Sequence, residues 1–257
     1  MICAGLDVGS RTIAFVLLDD GEVLELSVID TGVKPLERCR QLLKGKSYQR
    51  LMVTGYGRHL VAPALSGDAV SEIGAYAAGA WRLYPDCGTV IDIGGQDSKV
   101  IRLDAGGAVQ KFEMNDRCAA GTGKFLEVMA ATLETDIAAF GGLAQNAAKS
   151  VSINSLCTVF AESEVVSLIG RGEDAAAIAM ALHQAVVSRI AGMVRRVGVR
   201  EKVVFAGGAA RNQCLVQLLA GKLGVAIAVP DEPQTVGALG AALLAARRKD
   251  TASNVSF

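Results

Sequence analysis

Two short acidic turns are the first residues in this sequence that could carry out chemistry. Leu6–Ser10 reads Leu-Asp-Val-Gly-Ser, and the segment 91–95 reads Ile-Asp-Ile-Gly-Gly. Glycine in such a turn presents backbone N–H groups to an anion without side-chain interference. An aspartate at a strand end, here Asp7 or Asp92, can hold Mg²⁺ directly or through water. The turns therefore predict a metal–phosphate site for phosphoryl transfer or hydrolysis.

The segments that follow the two aspartates are also alike. Asp7 and Asp92 lie 85 positions apart, and each is followed by two further strands joined by an Asp/Gly turn. Short Asp-x-Gly turns recur by chance, but the repeated strands favour an internal duplication of a β-meander. A further strand runs into Gly207 and Gly208, which offers a third glycine turn at a strand end.

Cys118 and Cys157 form a second candidate centre. Each is predicted to lie immediately before a helix, and each has an asparagine three residues upstream. The positive end of a helix dipole lowers the pKa of a thiol, and thiolate is the form that binds iron. Two thiolates are half of a [4Fe-4S] ligand set, so a symmetric dimer would complete it. Spacing alone leaves open that both are buried packing residues, or that zinc is held between subunits.

The elements that must position these residues alternate between strands and helices, which predicts an α/β fold with mixed sheets. Of the 257 residues 51% are hydrophobic, so the chain can build a core and is not disordered. The formal net charge is zero, which gives no basic excess for nucleic acid. No signal peptide or membrane segment is predicted. We therefore expect a cytoplasmic protein with reduced thiols and no membrane or nucleic-acid partner.

The remaining cysteines and both histidines are predicted to be structural. They fall in strand, helix and loop patterns without an adjacent nucleophile or ligand set: Cys3, Cys39, Cys87, Cys214, His59 and His183.

Three segments resemble the phosphate-1, phosphate-2 and adenosine motifs of the acetate kinase, sugar kinase, Hsp70 and actin ATPase superfamily: 7–10, 92–97 and 207–212. The resemblance implies a duplicated actin-like fold of ribonuclease H-like domains with a nucleotide cleft between them. It implies a first domain over residues 1–80, with a helix at about 235–249 packing back on it. A second domain over 81–234 would carry the cysteines, and 250–257 would be a frayed tail.

The same resemblance assigns roles to individual positions. It implies that Asp7 and Asp92 are catalytic and organise Mg²⁺. The implied nucleotide contacts are Gly9, Ser10, Arg11, Gly94, Gly95 and Gln96 at the phosphates, and Gly207, Gly208 and Asn212 at the adenosine side.

Longer motifs resemble the activators of 2-hydroxyacyl-CoA dehydratases, a family that includes ATPase subunits of benzoyl-CoA reductases and reductases of double-cubane cluster proteins. They are Val53–Arg58, Val90–Val100, Met114–Met129, Leu156–Val165 and Gly237–Ala242. The resemblance implies a homodimer with one [4Fe-4S] cluster bridged by Cys118 and Cys157. ATP hydrolysis to ADP would drive low-potential electrons, one at a time, to a partner iron–sulfur dehydratase or reductase. A ferredoxin or flavodoxin would supply them.

One segment departs from that pattern. Activators often continue the first turn with Thr-Ala-Ser-Lys, whereas this chain has Arg11, Thr12, Ile13 and Ala14. Arg11 therefore either replaces or disrupts a phosphate contact. Two alternatives stay open at this point. A small-molecule kinase would explain the nucleotide motifs but not the paired cysteines. The other alternative is a non-catalytic binding or regulatory module of the actin-like kind.

Overall fold

The computed structural model describes residues 1–153 and 157–248. The chain divides into two units: the first joins Met1–Gly79 to the chain from Gly237 onward, and the second is Ala80–Val236. The predicted tail 250–257 lies outside the described residues, as does the last position of the helix predicted to end at 249.

The sheet of the first unit is a meander extended by parallel strands. Its strands are β1 (Ile2–Val8), β2 (Thr12–Asp19), β3 (Glu22–Asp30), β4 (Arg50–Thr54) and β5 (Asp68–Ala69), in the spatial order β3-β2-β1-β4-β5. β1 is antiparallel to β2 and parallel to β4. Because β1 lies at the centre, almost all of its residues are buried, which explains its nearly continuous apolar sequence.

Helices pack on the sheet of the first unit. They are α1 (Pro35–Leu43), α2 (Arg58–Ala64), α3 (Glu72–Leu83, which runs on into the second unit) and α9 (Val236–Arg247). The backbone of α9 lies so close to β1 that a Cβ on Gly5 would overlap the Ala238 carbonyl oxygen. A Cβ on Gly240 of α9 would likewise overlap the Ala75 carbonyl oxygen. Glycine at these two positions therefore permits close backbone packing.

The sheet of the second unit repeats the first. Its strands are β6 (Thr89–Ile93), β7 (Ser98–Leu103), β8 (Val109–Asn115), β9 (Val203–Ala206) and β10 (Ile227–Ala228), in the order β8-β7-β6-β9-β10. β6 is antiparallel to β7 and parallel to β9, as β1 is to β2 and β4. The predicted duplication of the meander is therefore confirmed, and it extends to the parallel strands.

Between its third and fourth strands the second unit has four helices in its described residues, where the first unit has α1. They are α4 (Gly123–Thr132), α5 (Ile137–Gln145), α6 (Thr158–Gly170) and α7 (Ala175–Val197), and α8 (Gln213–Leu223) follows β9. By length and composition α7 could span a membrane, but 67% of its apolar window is buried within the structure. It is the central helix of the core of this unit.

The sequence predicts a loop at His59 and helices over Gly121–Ala131 and Thr135–Phe140, and the structure differs at each. His59 lies in α2, whose flanking Gly57 and internal Pro63 are residues that usually break helices. Helix α4 begins at Gly123 rather than Gly121, because Gly121 has a φ of +83° that a helix cannot contain. Helix α5 extends to Gln145, beyond the predicted end at Phe140.

Candidate functional site

Asp7 lies at the end of β1, almost fully buried. In the sheet it faces Ala14 of β2 and Thr54 of β4. The Tyr76 hydroxyl donates a hydrogen bond of 3.1 Å to Asp7 Oδ2. The turn that follows is closed by Gly9 N–H, which donates to the Thr12 carbonyl oxygen at 3.0 Å.

Two glycines make room for the Asp7 carboxylate. Gly55 has a φ of +89°, and a Cβ there would lie 2.5 Å from Asp7 Oδ1. A Cβ on Gly237 would overlap Asp7 Oδ2. Any larger residue at either position would collide with a carboxylate oxygen, so glycine on two separate elements permits their close approach to Asp7.

Asp92 occupies the equivalent position at the end of β6. It is 1% exposed and faces Lys99 of β7 and Ala206 of β9. The Lys99 ammonium, also 1% exposed, lies 2.9 Å from Asp92 Oδ2 and 2.8 Å from Asp97 Oδ2. The turn after Asp92 therefore adjoins an ion-paired group of three side chains, of which Asp92 and Lys99 are buried and Asp97 is half-buried. The sequence did not predict the part of Lys99 in it.

The turn after Asp92 is built like the one after Asp7. Gly94 N–H donates to the Asp97 carbonyl oxygen at 2.9 Å. Gly207, with a φ of +82°, follows the neighbouring strand, and a Cβ on it would overlap Asp92 Oδ1. Gln96 is exposed and Gly94 half-buried, so the turn is accessible while its aspartate is not.

Of the other predicted nucleotide contacts, Arg11 is exposed, and Ser10, Gly9 and Gly95 are half-buried. Gly207 N–H donates to the Pro233 carbonyl oxygen at 2.9 Å, and Gly208 begins a short 3-10 helix. These positions stay predictions, as does the role of the two aspartates.

Asn212, predicted to contact adenosine, also has a structural role. Its side-chain oxygen accepts from Leu215 N–H at 3.2 Å and caps α8. Its Nδ2 lies 2.9 Å from His183 Nε2. Because both ends of the amide are engaged inside the second unit, its contact with adenosine stays a prediction.

His183 is completely buried in α7. Its Nδ1 lies 2.7 Å from the Ala179 carbonyl oxygen, so Nδ1 carries the proton and Nε2 accepts from Asn212. Burial lowers the pKa of His183 below its ordinary value, and the bond to Ala179 opposes this only in part. His183 is therefore a neutral core residue, as expected.

The six cysteines fall into two groups. Four are buried, and burial raises the pKa of three of them to about 11: Cys39, Cys87 and Cys214. Burial also raises the pKa of Cys3. Cys157 is exposed and Cys118 is half-buried. The two predicted ligands are thus the two accessible thiols, and the four predicted packing residues are buried.

The two accessible cysteines relate differently to their helices. Cys157 is the N-cap residue of α6, as predicted, while Asn154 lies outside the described residues. Cys118 lies four residues before Thr122, the N-cap of α4, so the prediction that it immediately precedes a helix was wrong. The helix dipole therefore acts on Cys157 but not directly on Cys118. Helices α4 and α6 pack against each other.

Cys118 is positioned by side-chain hydrogen bonds instead. Asn115 Nδ2 donates to the carbonyl oxygens of Cys118, at 2.8 Å, and Ala120, at 3.1 Å. Over residues 1–153 and 157–248, no three histidine, cysteine or acidic side chains form a group that could hold a metal ion.

The sequence profile of the BadF/BadG/BcrA/BcrD ATPase family matches residues 4–245. The chain is 42% identical over 254 residues to the 2-hydroxyisocaproyl-CoA dehydratase activator of Clostridioides difficile, covering 95% of each chain. It is 40% identical over 253 residues to the (R)-2-hydroxyglutaryl-CoA dehydratase activating ATPase of Acidaminococcus fermentans, covering 95% of this chain and 96% of that protein.

Solved structures agree with these relatives. The C. difficile activator with bound ADPNP has a TM-score of 0.88 at 41% identity, covering 95% of this chain and 94% of that chain. A ROK family glucokinase from Streptomyces griseus has a TM-score of 0.61 at 13% identity, covering 96% of this chain and all of that chain, which shows a shared fold only. The predicted fold class and nucleotide chemistry are thereby confirmed, and the chain belongs to the BadF/BadG/BcrA/BcrD ATPase family.

Proposed function

We propose that this protein hydrolyses ATP to deliver low-potential electrons, one at a time, to a partner iron–sulfur enzyme in the cytoplasm. Support comes from relatives that are named activators of 2-hydroxyisocaproyl-CoA and lactoyl-CoA dehydratases, each 42% identical to this chain. Kinase activity is not favoured, because the similarity between this chain and the ROK family glucokinase is limited to the fold.

The nucleotide would be bound by the two duplicated turns and by the glycines after β9. Backbone N–H groups of Ser10, Gly95 and Gln96 would bind phosphate oxygens. Those of Gly9 and Gly94 close the two turns by donating to the Thr12 and Asp97 carbonyl oxygens. Asp7 and Asp92 would orient Mg²⁺ and water. Support comes from Gly55 and Gly237, because a Cβ at either position would overlap an Asp7 carboxylate oxygen and so disturb the group that would orient the metal.

A [4Fe-4S] cluster would be held by Cys118 and Cys157 of two copies of the chain. When bound, such a cluster supplies one-electron transfer at low potential. The donor set fits, because both thiols are accessible and the helices that follow them pack together.

The observation that carries the proposal is this division of the cysteines. Exposed thiols are the ones that oxidation reaches first, so an accessible cysteine without a role is a liability. Here the accessible pair coincides with the two cysteines that lie within the activator motifs.

Anaerobic purification with iron and sulfide analysis tests the proposal. We expect a brown homodimer with about four iron atoms per two chains. Cys118→Ala and Cys157→Ala should each lose the iron, whereas Cys214→Ala, a change at a buried thiol, should keep it. A colourless, iron-free dimer after anaerobic reconstitution contradicts the proposal. Iron retained in both ligand variants contradicts the assignment, and zinc in place of iron establishes the other metal.

The partner is tested with a purified 2-hydroxyacyl-CoA dehydratase. The reduced protein, charged by a ferredoxin or flavodoxin, should be oxidised on mixing with the dehydratase and ATP, and not with ADP. Rapid-mixing absorbance at the cluster band measures this. Equal oxidation with ADP would separate electron transfer from ATP hydrolysis and overturn the coupling.

A further inference from the structure

The N-terminus of α4 is bonded directly to the second phosphate turn. Gly123 N–H donates to the Gly94 carbonyl oxygen, and Lys124 N–H donates to the Gly95 carbonyl oxygen, each at 2.8 Å. The first N–H groups of a helix have no partner within the helix. In α4 the phosphate turn provides that partner, so any movement of the peptide groups of Gly94 and Gly95 acts on the start of this helix.

Asn115 connects the same helix start to Cys118. Its Nδ2 donates to the carbonyl oxygens of both Cys118 and Ala120, which folds the residues between β8 and α4 around one amide. Thr122 closes the other side, since its N–H and hydroxyl both bond to the Ala119 carbonyl oxygen, at 3.0 and 2.6 Å. The segment from Asn115 to Thr122 is therefore a hydrogen-bonded turn rather than a slack connection.

Arg189 fixes Asn115 from the central helix. Its Nη2 donates to Asn115 Oδ1 at 3.4 Å across 74 positions of the sequence. Its side chain also lies against Gly121, where a Cβ would come within 2.8 Å of Arg189 Cδ. Because neighbouring residues of α7 are buried in the core, the guanidinium is held on a rigid support.

We propose that Asn115, held by Arg189, is a positioning residue that makes Cys118 follow the phosphate turn. When N–H groups of the turn bind phosphate, its peptide groups reorient, and the two carbonyl bonds pass the movement to α4. With Asn115 in place, Cys118 moves with the helix start. Without it, the seven residues between Asn115 and Gly123 would absorb the movement. The inference rests on the proposed nucleotide role of the turn after Asp92, where the Gly94 and Gly95 carbonyl groups share peptide units with the N–H groups of Gly95 and Gln96, but not on the presence of a cluster.

Alkylation of Cys118 in the full chain tests this inference. After anaerobic removal of iron, iodoacetamide labelling is followed by peptide mass spectrometry with Mg·ADP and with Mg·ADPNP. In the natural protein we expect the Cys118 rate to differ several-fold between the two nucleotides. In Asn115→Ala the two rates should become equal while nucleotide affinity stays unchanged. Asn146→Ala, at an exposed asparagine of the same unit, should keep the natural difference.

A second readout uses the iron-loaded protein. The reduction potential of the cluster should shift between ADP and ADPNP in the natural protein and in Asn146→Ala, and not in Asn115→Ala. Arg189→Met should lose the nucleotide-dependent shift as Asn115→Ala does. Two variants are used so that the test still works if one of them does not fold.

The outcomes separate the inference from the proposed function. An unchanged nucleotide dependence of Cys118 labelling in both Asn115→Ala and Arg189→Met overturns the inference alone. The inference is also overturned if the natural protein binds nucleotide but its Cys118 labelling rate is the same with Mg·ADP and with Mg·ADPNP. A chain that binds nucleotide and shows the dependence, yet never acquires iron, keeps the inference and overturns the electron-transfer proposal.

Discussion

The two aspartate turns occupy equivalent positions of two equivalent sheets, yet their neighbours differ. The position that faces Asp7 across the meander is Ala14, whereas the one that faces Asp92 is Lys99. Asp7 accepts a hydrogen bond from Tyr76, and Asp92 shares the Lys99 ammonium with Asp97. The two turns therefore differ in the groups that face their aspartates.

The comparison shows which properties a duplication preserves. Strand order, the turn hydrogen bonds and a positive-φ glycine beside each carboxylate recur in both units, because they depend on the backbone. The side chains that set the charge around each aspartate have diverged. We therefore expect changes at the glycines to act alike in both units, and changes at the charged groups to act differently.

The largest effect is expected at Lys99. Lys99→Met leaves the buried Asp92 carboxylate without this ammonium, which should lower the free energy of unfolding by about 3–5 kcal/mol. Urea unfolding measures it. Lys149→Met, which removes an exposed lysine paired with Glu173, should cost at most about 1 kcal/mol.

The double variant Lys99→Met with Asp92→Asn sharpens this result. Because it removes both charges, it should be more stable than the sum of the two single changes predicts. Strict additivity would show that the ion pair does not govern the stability of this turn.

The glycines beside the aspartates should give the next largest effect. Gly55→Ala and Gly207→Ala each place a Cβ against a carboxylate oxygen at a positive φ, so each should lower the free energy of unfolding by about 1–3 kcal/mol. Thermal and urea unfolding check this. Gly221→Ala, in α8 with open space around it, should stabilise by about 0.5–1 kcal/mol. If only one of the two glycine variants lowered the free energy of unfolding, the backbones of the two turns would not be equivalent.

Tyr76→Phe is expected to have a smaller effect, confined to the first unit. It removes the hydroxyl that bonds Asp7 and should lower the free energy of unfolding by about 1–2 kcal/mol. Tyr56→Phe, at a side chain that is 78% exposed, is the matched control and should change nothing. An equal decrease in the free energy of unfolding in Tyr76→Phe and Tyr56→Phe would show that the hydrogen bond to Asp7 adds no stability.

The smallest effect is a pH dependence that belongs to the second unit. The unfolded chain protonates His183 near pH 6.5, whereas burial delays protonation of the folded chain to lower pH. The unfolded state therefore binds more protons below pH 6.5, and the free energy of unfolding should decrease as the pH falls through that range.

Two variants separate the histidines. His183→Gln should flatten the pH dependence between about pH 7.5 and pH 5.5, since the depressed group is gone. His59→Gln, which changes an exposed histidine of the first unit, should leave the dependence as it is. The slope of urea-unfolding free energy against pH measures both, and a slope carried by His59 would contradict the assignment to the second unit.

Local patterns in the sequence predicted every observed strand except β5, both aspartate turns and the burial of four cysteines. These features depend on residues within a few positions, such as a run of apolar side chains or an Asp/Gly turn. Helix α2 escaped prediction because its Gly57 and Pro63 resemble breakers, and their cost is overridden by burial of Val61 and Ala62.

The sequence by itself determined the duplicated meander and the two thiols worth testing, because hydrophobic period and turn chemistry are local properties. Only the tertiary structure decided which groups surround them. Lys99 becomes the partner of Asp92 through strand register, Tyr76 reaches Asp7 across 69 positions, and Arg189 reaches Asn115 across 74. Such contacts depend on how helices and strands pack together. Packing joins residues that are far apart in the sequence and follow no regular spacing, so the sequence pattern does not predict them.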